Sequence, residues 1–224
     1  NYPLNDDEVL AVAFEFIYNG ELYQVGEFTN NNIVDNNLSD ALFVKLLKPV
    51  SFSPSSYSWN LMMKNIYSLG YNVYEVQKDR FKLNITYLSD TTGIYLDYIP
   101  DKNLENEILL STMNLDRLNN KNDPYPDGIF DFIEGFTIDS ENGNVIFPVV
   151  EPFGSHLMNK IGNDEIAMKY IYRELYDSTL TVAQQFPEKN RFRISGEYRA
   201  SSGSDFNSDI LLMNQSKRKT LMGV

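Results

Sequence analysis

The strongest constraint on this chain is its rhythm. Tyrosine and phenylalanine recur in short alternating runs broken by Asn, Asp, Gly and Ser, the pattern of β-strands joined by tight turns. In residues 8–18, Leu10, Val12, Phe14, Phe16 and Tyr18 fall on one face of an extended strand. Asn19-Gly20 then supplies the positive φ angles of a two-residue hairpin turn, and residues 22–28 read as the returning strand. An Asn-rich loop at 30–37 leads to an apolar run at 41–47, followed by coil through 49–58. Strand-like runs at 72–77, 81–88 and 93–98 read as a meander. A second hairpin is predicted from Phe136-Thr137-Ile138 and Val145-Ile146-Phe147 around the polar loop 139–144. The last clear strand, 192–199, alternates Phe192, Ile194, Gly196 and Tyr198 with Arg193, Ser195, Glu197 and Arg199. That alternation suits a half-buried strand of a soluble sheet, and it equally suits a lipid-facing barrel strand of about 9–11 residues.

Helical spacing is confined to two places. Met62, Met63, Ile66 and Leu69, ahead of Gly70, predict a short helix near 59–69. Residues 164–175 carry an apolar stripe of Ile166, Tyr170, Ile171 and Leu175 behind a capping Asp164, and this helix is expected to run on toward 183. The fold class is therefore α+β and β-dominated, with antiparallel hairpins and meanders and one or two helices. Residues 1–186 are expected to form a β-rich module, and 187–224 a strand with a polar, basic tail.

Composition narrows the function classes. At 42% hydrophobic residues, the 224-residue chain has enough apolar surface for a packed core. A formal net charge of −12 repels phosphate backbones and anionic lipid surfaces, which argues against nucleic acid as a partner. The one basic cluster, Lys217, Arg218 and Lys219, lies in the tail. The absence of cysteine removes disulfides, thiolate metal sites and thiol nucleophiles while leaving the compartment open. No apolar stretch has the length of a membrane-spanning helix. The first residues, Asn1-Tyr2-Pro3-Leu4, lack both Met and the regions of a signal peptide, so a piece of a longer protein is expected.

Catalytic chemistry has little to stand on. The only histidine, His156, has Ser155 as its immediate neighbour, whose side chain diverges from it, so a supporting loop role is preferred to a triad. Phosphate-loop, HExxH and GxSxG patterns do not occur. The densest oxygen-donor segment is 114–134. Laid on a twelve-residue calcium loop, it offers Asp123, Asp127, Asp131 and Glu134 as ligands, with Gly128 at the sharp turn. Tyr125 replaces a ligand, however, and Pro124 and Pro126 stiffen the loop. Calcium needs about six to eight oxygens, so a Pro-Asp-Gly turn braced by local Asn and Asp hydrogen bonds is the preferred reading.

The same segment carries a resemblance. Residues 114–119 (Asn-Leu-Asp-Arg-Leu-Asn), 123–135 (beginning Asp-Pro-Tyr-Pro-Asp-Gly), 143–155 (Gly-Asn-Val-Ile-Phe-Pro-Val-Val-Glu-Pro-Phe-Gly-Ser) and 184–192 are similar to the SprA/Sov family. Upstream, 6–14, 23–28 and 59–70 resemble the same proteins, and the similarity runs in one order over nearly residues 5–205. The tail from Asn207 departs from that family's pattern. The resemblance implies part of, or a module attached to, a large outer-membrane β-barrel, the translocon of type IX secretion and gliding motility. On that reading 1–186 is extramembrane and 187–224 starts a barrel segment. Implied partners are secreted cargo proteins, accessory outer-membrane and plug proteins, and the remainder of the same chain. The implied location is the outer membrane or cell surface, without catalysis and without a cofactor. Two rival readings from the residues themselves are a secreted adhesin or carbohydrate-binding β module, braced by calcium at 123–134, and a hydrolase built on a carboxylate pair.

Overall fold

The computed structural model describes residue 5, residues 7–28, 42–70 and 73–199, and the backbone of 205–211. It divides into two compact units, Asn1–Met62 and Met63–Arg218. Its class is mixed α+β, with antiparallel sheets and short helices.

In the first unit, β1 (Leu10–Val12), β2 (Phe14–Tyr18), β3 (Glu21–Val25) and β4 (Lys45–Lys48) make two separate two-stranded ribbons. β2 and β3 form the predicted hairpin, with Asn19 at φ 51° and Gly20 at φ 83° closing its turn. β1 pairs with β4 instead of continuing into β2, and a bulge lies between Leu10 and Ala11. Lys48 is buried, and its ammonium donates to the carbonyl oxygens of Asn5 at 3.0 Å and Glu8 at 2.6 Å, which satisfies a cation that would otherwise be costly to bury. Tyr57–Leu61 is a single 3-10 turn capped by Ser56.

The second unit holds the main core. β5 (Ile66–Ser68) stands where the spacing of Met62, Met63, Ile66 and Leu69 predicts helix; that expectation is corrected, because Ile66–Ser68 pairs with a later strand. β6 (Gln77–Leu88) is the longest strand and is flanked by the short β7 (Tyr95–Leu96). The run 73–76 is not a strand. After α1 (Leu109–Thr112), the predicted second hairpin forms from β8 (Ile138–Asp139) and β9 (Asn144–Ile146), giving a three-stranded sheet in the order β5-β9-β8.

A π-turn at Pro152–His156 leads into α2 (Leu157–Ile161), α3 (Asp164–Tyr170), α4 (Glu174–Asp177) and α5 (Leu180–Ala183). The single helix predicted over 164–183 is thus three pieces. Its N-cap is Asn163, whose side chain accepts from the amide of Ile166. It stops at Ile171, which turns extended so that the next amide, Tyr172, donates to Phe153 O instead of continuing the helix.

β10 (Phe192–Arg199) pairs with β6 on one side and with β11 (Asp205–Leu211) on the other, so the main sheet runs β11-β10-β6-β7. Phe192, Ile194 and Tyr198 are buried, as are Phe81, Leu83, Ile85 and Tyr87 on the same face of β6. The opposite face carries Lys82 and Glu197, paired at 2.9 Å. The alternation of β10 thus appears as one buried row and one outward row. The apolar row is consumed by this protein's own core, and the outward row is polar. Phe153 joins the two sheets, its ring lying 5.9 Å from Tyr67 of β5 and 4.7 Å from Phe192 of β10. Among the described residues, no helix is long and apolar enough to cross a membrane.

Candidate functional site

The acidic segment singled out in the sequence folds as a braced loop. It begins where α1 ends in a Schellman motif. Asn114 takes a positive φ of 59°, its amide donates to Ser111 O, and the amide of Leu115 reaches back to Leu110 O. Leu110 and Leu115 are both buried, the apolar contact that accompanies this cap. The turn directs the next residue, Asp116, inward to 1% exposure. Its Oδ1 accepts from the amide of Asp127 at 3.0 Å, and its Oδ2 accepts from Gly128 N at 3.0 Å and Ser111 Oγ at 2.7 Å. Asp131 answers from the other side, its Oδ2 accepting from the amides of Arg117 at 2.6 Å and Leu118 at 3.1 Å. Two carboxylates therefore hold two loop segments together with backbone donors, a stronger arrangement than neutral hydrogen bonds provide.

The four acids aligned with a calcium loop are put to separate uses. Asp123 accepts from Asn119 Nδ2, Asp127 closes its own turn by accepting from Ile129 N, Asp131 holds Arg117 and Leu118, and Glu134 accepts from Ser140 N. Among the described residues, no three His, Asp or Glu side chains form a group that could hold a metal ion. Sequence reasoning left out Asp116, the residue that organises the loop. The available signal was an acid lying between Leu115 and Leu118, directly after the apolar residues of α1.

The brace borders a cleft of about 420 Å³, lined among others by Arg117, Leu118, Pro124, Phe136, Glu107 and Lys160. The Arg117 side chain is exposed and makes no ion pair among the described residues, while Lys160 sits 3.5 Å from Glu107.

A second polar cluster supports the π-turn. Glu151, in the left-handed region at φ 52°, accepts from Lys64 Nζ at 2.6 Å. Burial works to raise the Glu151 carboxyl, but hydrogen bonds from Lys64 and Ser155 and the charge on Lys64 outweigh it and hold the group below its ordinary value. The hydroxyls of Tyr67 and Tyr176 lie 2.8 Å apart, and the amide of Phe153 donates to Tyr176. Burial first, and then the neighbouring Tyr67, push the Tyr176 phenol well above its ordinary value. His156 Nε2 lies 2.8 Å from Thr112 O, so it carries the proton and ties the turn to α1.

The other conspicuous surface is the β2–β3 ribbon. Phe14, Phe16 and Tyr23 share one face, with Phe16 and Tyr23 stacked at 5.3 Å. Ile17 and Leu22 pair on the other face, 74% and 65% exposed. Apolar residues open to solvent on both faces of a two-stranded ribbon form the kind of patch that monomeric proteins seldom leave uncovered.

No protein-family model matches the chain, and no curated protein matches it significantly.

Proposed function

We propose that this chain is a structural and interaction module of a protein-conducting outer-membrane translocon of type IX secretion and gliding motility. The observation that carries the interaction reading is the β2–β3 ribbon, which exposes Phe14, Phe16, Ile17, Tyr18, Leu22 and Tyr23. Such a ribbon is marginal alone in water and gains its stability by packing against protein. The translocon assignment rests on the ordered similarity to the SprA/Sov family. Two of the segments that carry it, 114–119 and 123–135, form the carboxylate-braced loop, and a third, 143–155, forms the aromatic joint at Phe153. The role is architectural. The module offers acidic and aromatic surface to the rest of the large chain, to accessory and plug proteins and to secreted cargo, at the outer membrane or cell surface. A barrel contributed by the rest of that chain belongs to the same proposal.

A carbohydrate-binding reading is favoured by one specific observation. The Phe16 and Tyr23 rings, nearly parallel at 15° and exposed, make a platform on which a sugar ring could stack. One experiment separates the two readings. The full-length parent is isolated from outer membranes in mild detergent, and what stays bound is identified by mass spectrometry. Co-isolation with accessory outer-membrane proteins and secreted cargo is expected. Recovery alone, together with specific glycan binding abolished by Tyr23→Ala, would transfer the assignment to the adhesin reading.

A further inference from the structure

Three steps in the chain place glycine after an asparagine or aspartate, whose side chain can close a five-membered imide onto it: Asn19-Gly20, Asp127-Gly128 and Asn142-Gly143. In this reaction the glycine backbone nitrogen attacks the side-chain carbonyl carbon. A nitrogen–carbon bond forms, ammonia leaves from an asparagine or water from an aspartic acid, and a cyclic imide results. Water then opens the imide at either carbonyl, giving aspartate or isoaspartate. Glycine permits the attack because it has no side chain to obstruct it, but two conditions remain. The side chain must be free to rotate onto the nitrogen, and the nitrogen must be free to attack.

The structure withholds both conditions at Asp127 and the first of them, side-chain freedom, at Asn142. Asn142 Nδ2 donates to both oxygens of Asp139 at 3.0 and 2.9 Å, and its backbone amide donates to the same carboxylate at 3.1 Å. That loop joins β8 and β9 next to Ile138 and Val145, both fully buried. At Asp127 the side chain accepts from Ile129 N, and the attacking nitrogen, Gly128 N, is bound to the buried Asp116 at 3.0 Å. Asn19 has neither restraint. It is exposed, neither its side chain nor the Gly20 amide makes a hydrogen bond among the described residues, and apart from the adjoining residues nothing lies within 4 Å of where a Cβ on Gly20 would stand. Its hairpin belongs to the ribbon exposed on both faces, a low-stability element that opens readily.

We propose that Asn19 is a site of spontaneous deamidation, and that it marks the β2–β3 ribbon for loss of its aromatic face as the protein ages. The isoaspartate product lengthens the backbone by a carbon inside a two-residue turn. The turn can then no longer hold the register Phe16↔Tyr23 and Tyr18↔Glu21. It also sets a new carboxylate beside Glu21. The inference depends on the ribbon's geometry and not on the translocon assignment.

The test incubates the 224-residue chain at neutral and mildly alkaline pH. Peptide mapping follows the amide-to-acid mass change, with electron-transfer fragmentation to separate aspartate from isoaspartate. Asn19 is expected to convert at least about tenfold faster than Asn142, and faster than Asp127 isomerises, because opening charge-assisted hydrogen bonds adds to the barrier. Asp139→Ala is expected to release Asn142 and raise its rate about tenfold in the same map. Asn19→Gln is expected to remove the product at position 19. Conversion of Asn142 as fast as Asn19 in the unsubstituted chain, or an unchanged Asn19 amide, overturns the proposal.

Discussion

Replacing Asp116 with Ala tests whether the acidic loop is held by its carboxylate. The side chain is 1% exposed and receives three hydrogen bonds, from Ser111, Asp127 and Gly128. A bond to a charged acceptor contributes about 1.5–3 kcal/mol. Asp127 and Gly128 are themselves exposed, so water can take over their amides once the carboxylate is gone, and the low end applies to both. The expected loss is about 3–5 kcal/mol. For a unit of this size, at about 2–4 °C per kcal/mol, Tm should fall by on the order of 10 °C. Urea and thermal unfolding followed by circular dichroism measure the loss, and hydrogen exchange should show the amides of Asp127 and Gly128 losing protection ahead of β10. Asp116→Asn keeps one accepting oxygen and should recover about half the loss. A decrease below about 1 kcal/mol, the scale of a surface carboxylate, would refute the argument that this residue organises the loop.

Two further substitutions probe other parts of the second unit. Lys64→Met leaves Glu151 without its main partner and should cost about 2–3 kcal/mol at neutral pH. Because the folded Glu151 carboxyl lies below its ordinary value, this contribution is fully present above about pH 4.3 and is lost as pH falls through the folded value. The unsubstituted and Lys64→Met proteins should therefore converge in urea midpoint as pH falls below the ordinary glutamate value and through the folded one; a difference that persists once the carboxyl is protonated would contradict the linkage. Gly196→Ala would place a Cβ 2.2 Å from Lys82 O, a backbone atom that cannot step aside without parting β10 from β6. A loss of about 3 kcal/mol or more is expected in thermal unfolding, and a neutral result would show that the strands stand further apart than described.

Where local pattern and tertiary pairing agree, the fold was legible from the sequence. The Asn19-Gly20 hairpin and the alternation of β10 appear where they were predicted, because turn chemistry and a half-buried face are encoded within a few residues. β6 starts earlier than its apolar run suggests. Its polar first residues, beginning with Gln77, are held by pairing with β10 at Arg199, which no local window contains. Near residue 66, helical spacing lost to strand pairing with β9. The loop at 123–134 was recognisable as acidic, but the use of each acid was not. Asp116 and Asp131 bind amides 11–14 positions away, and sequence spacing does not specify such partners.

The pairing of β6 with β10 also sets the order in which this protein can assemble. Thr86 and Arg193 meet across 107 positions of chain. Closing a loop of that length costs about 4 kcal/mol in chain entropy plus a constant, before any sheet contact returns it. A chain emerging from its N-terminus therefore presents the row Phe81, Leu83, Ile85 and Tyr87 long before Phe192 and Ile194 arrive to cover it. Folding of the second unit should be slow and complete only near its end, and the interval is one in which a holding chaperone would decide between assembly and aggregation.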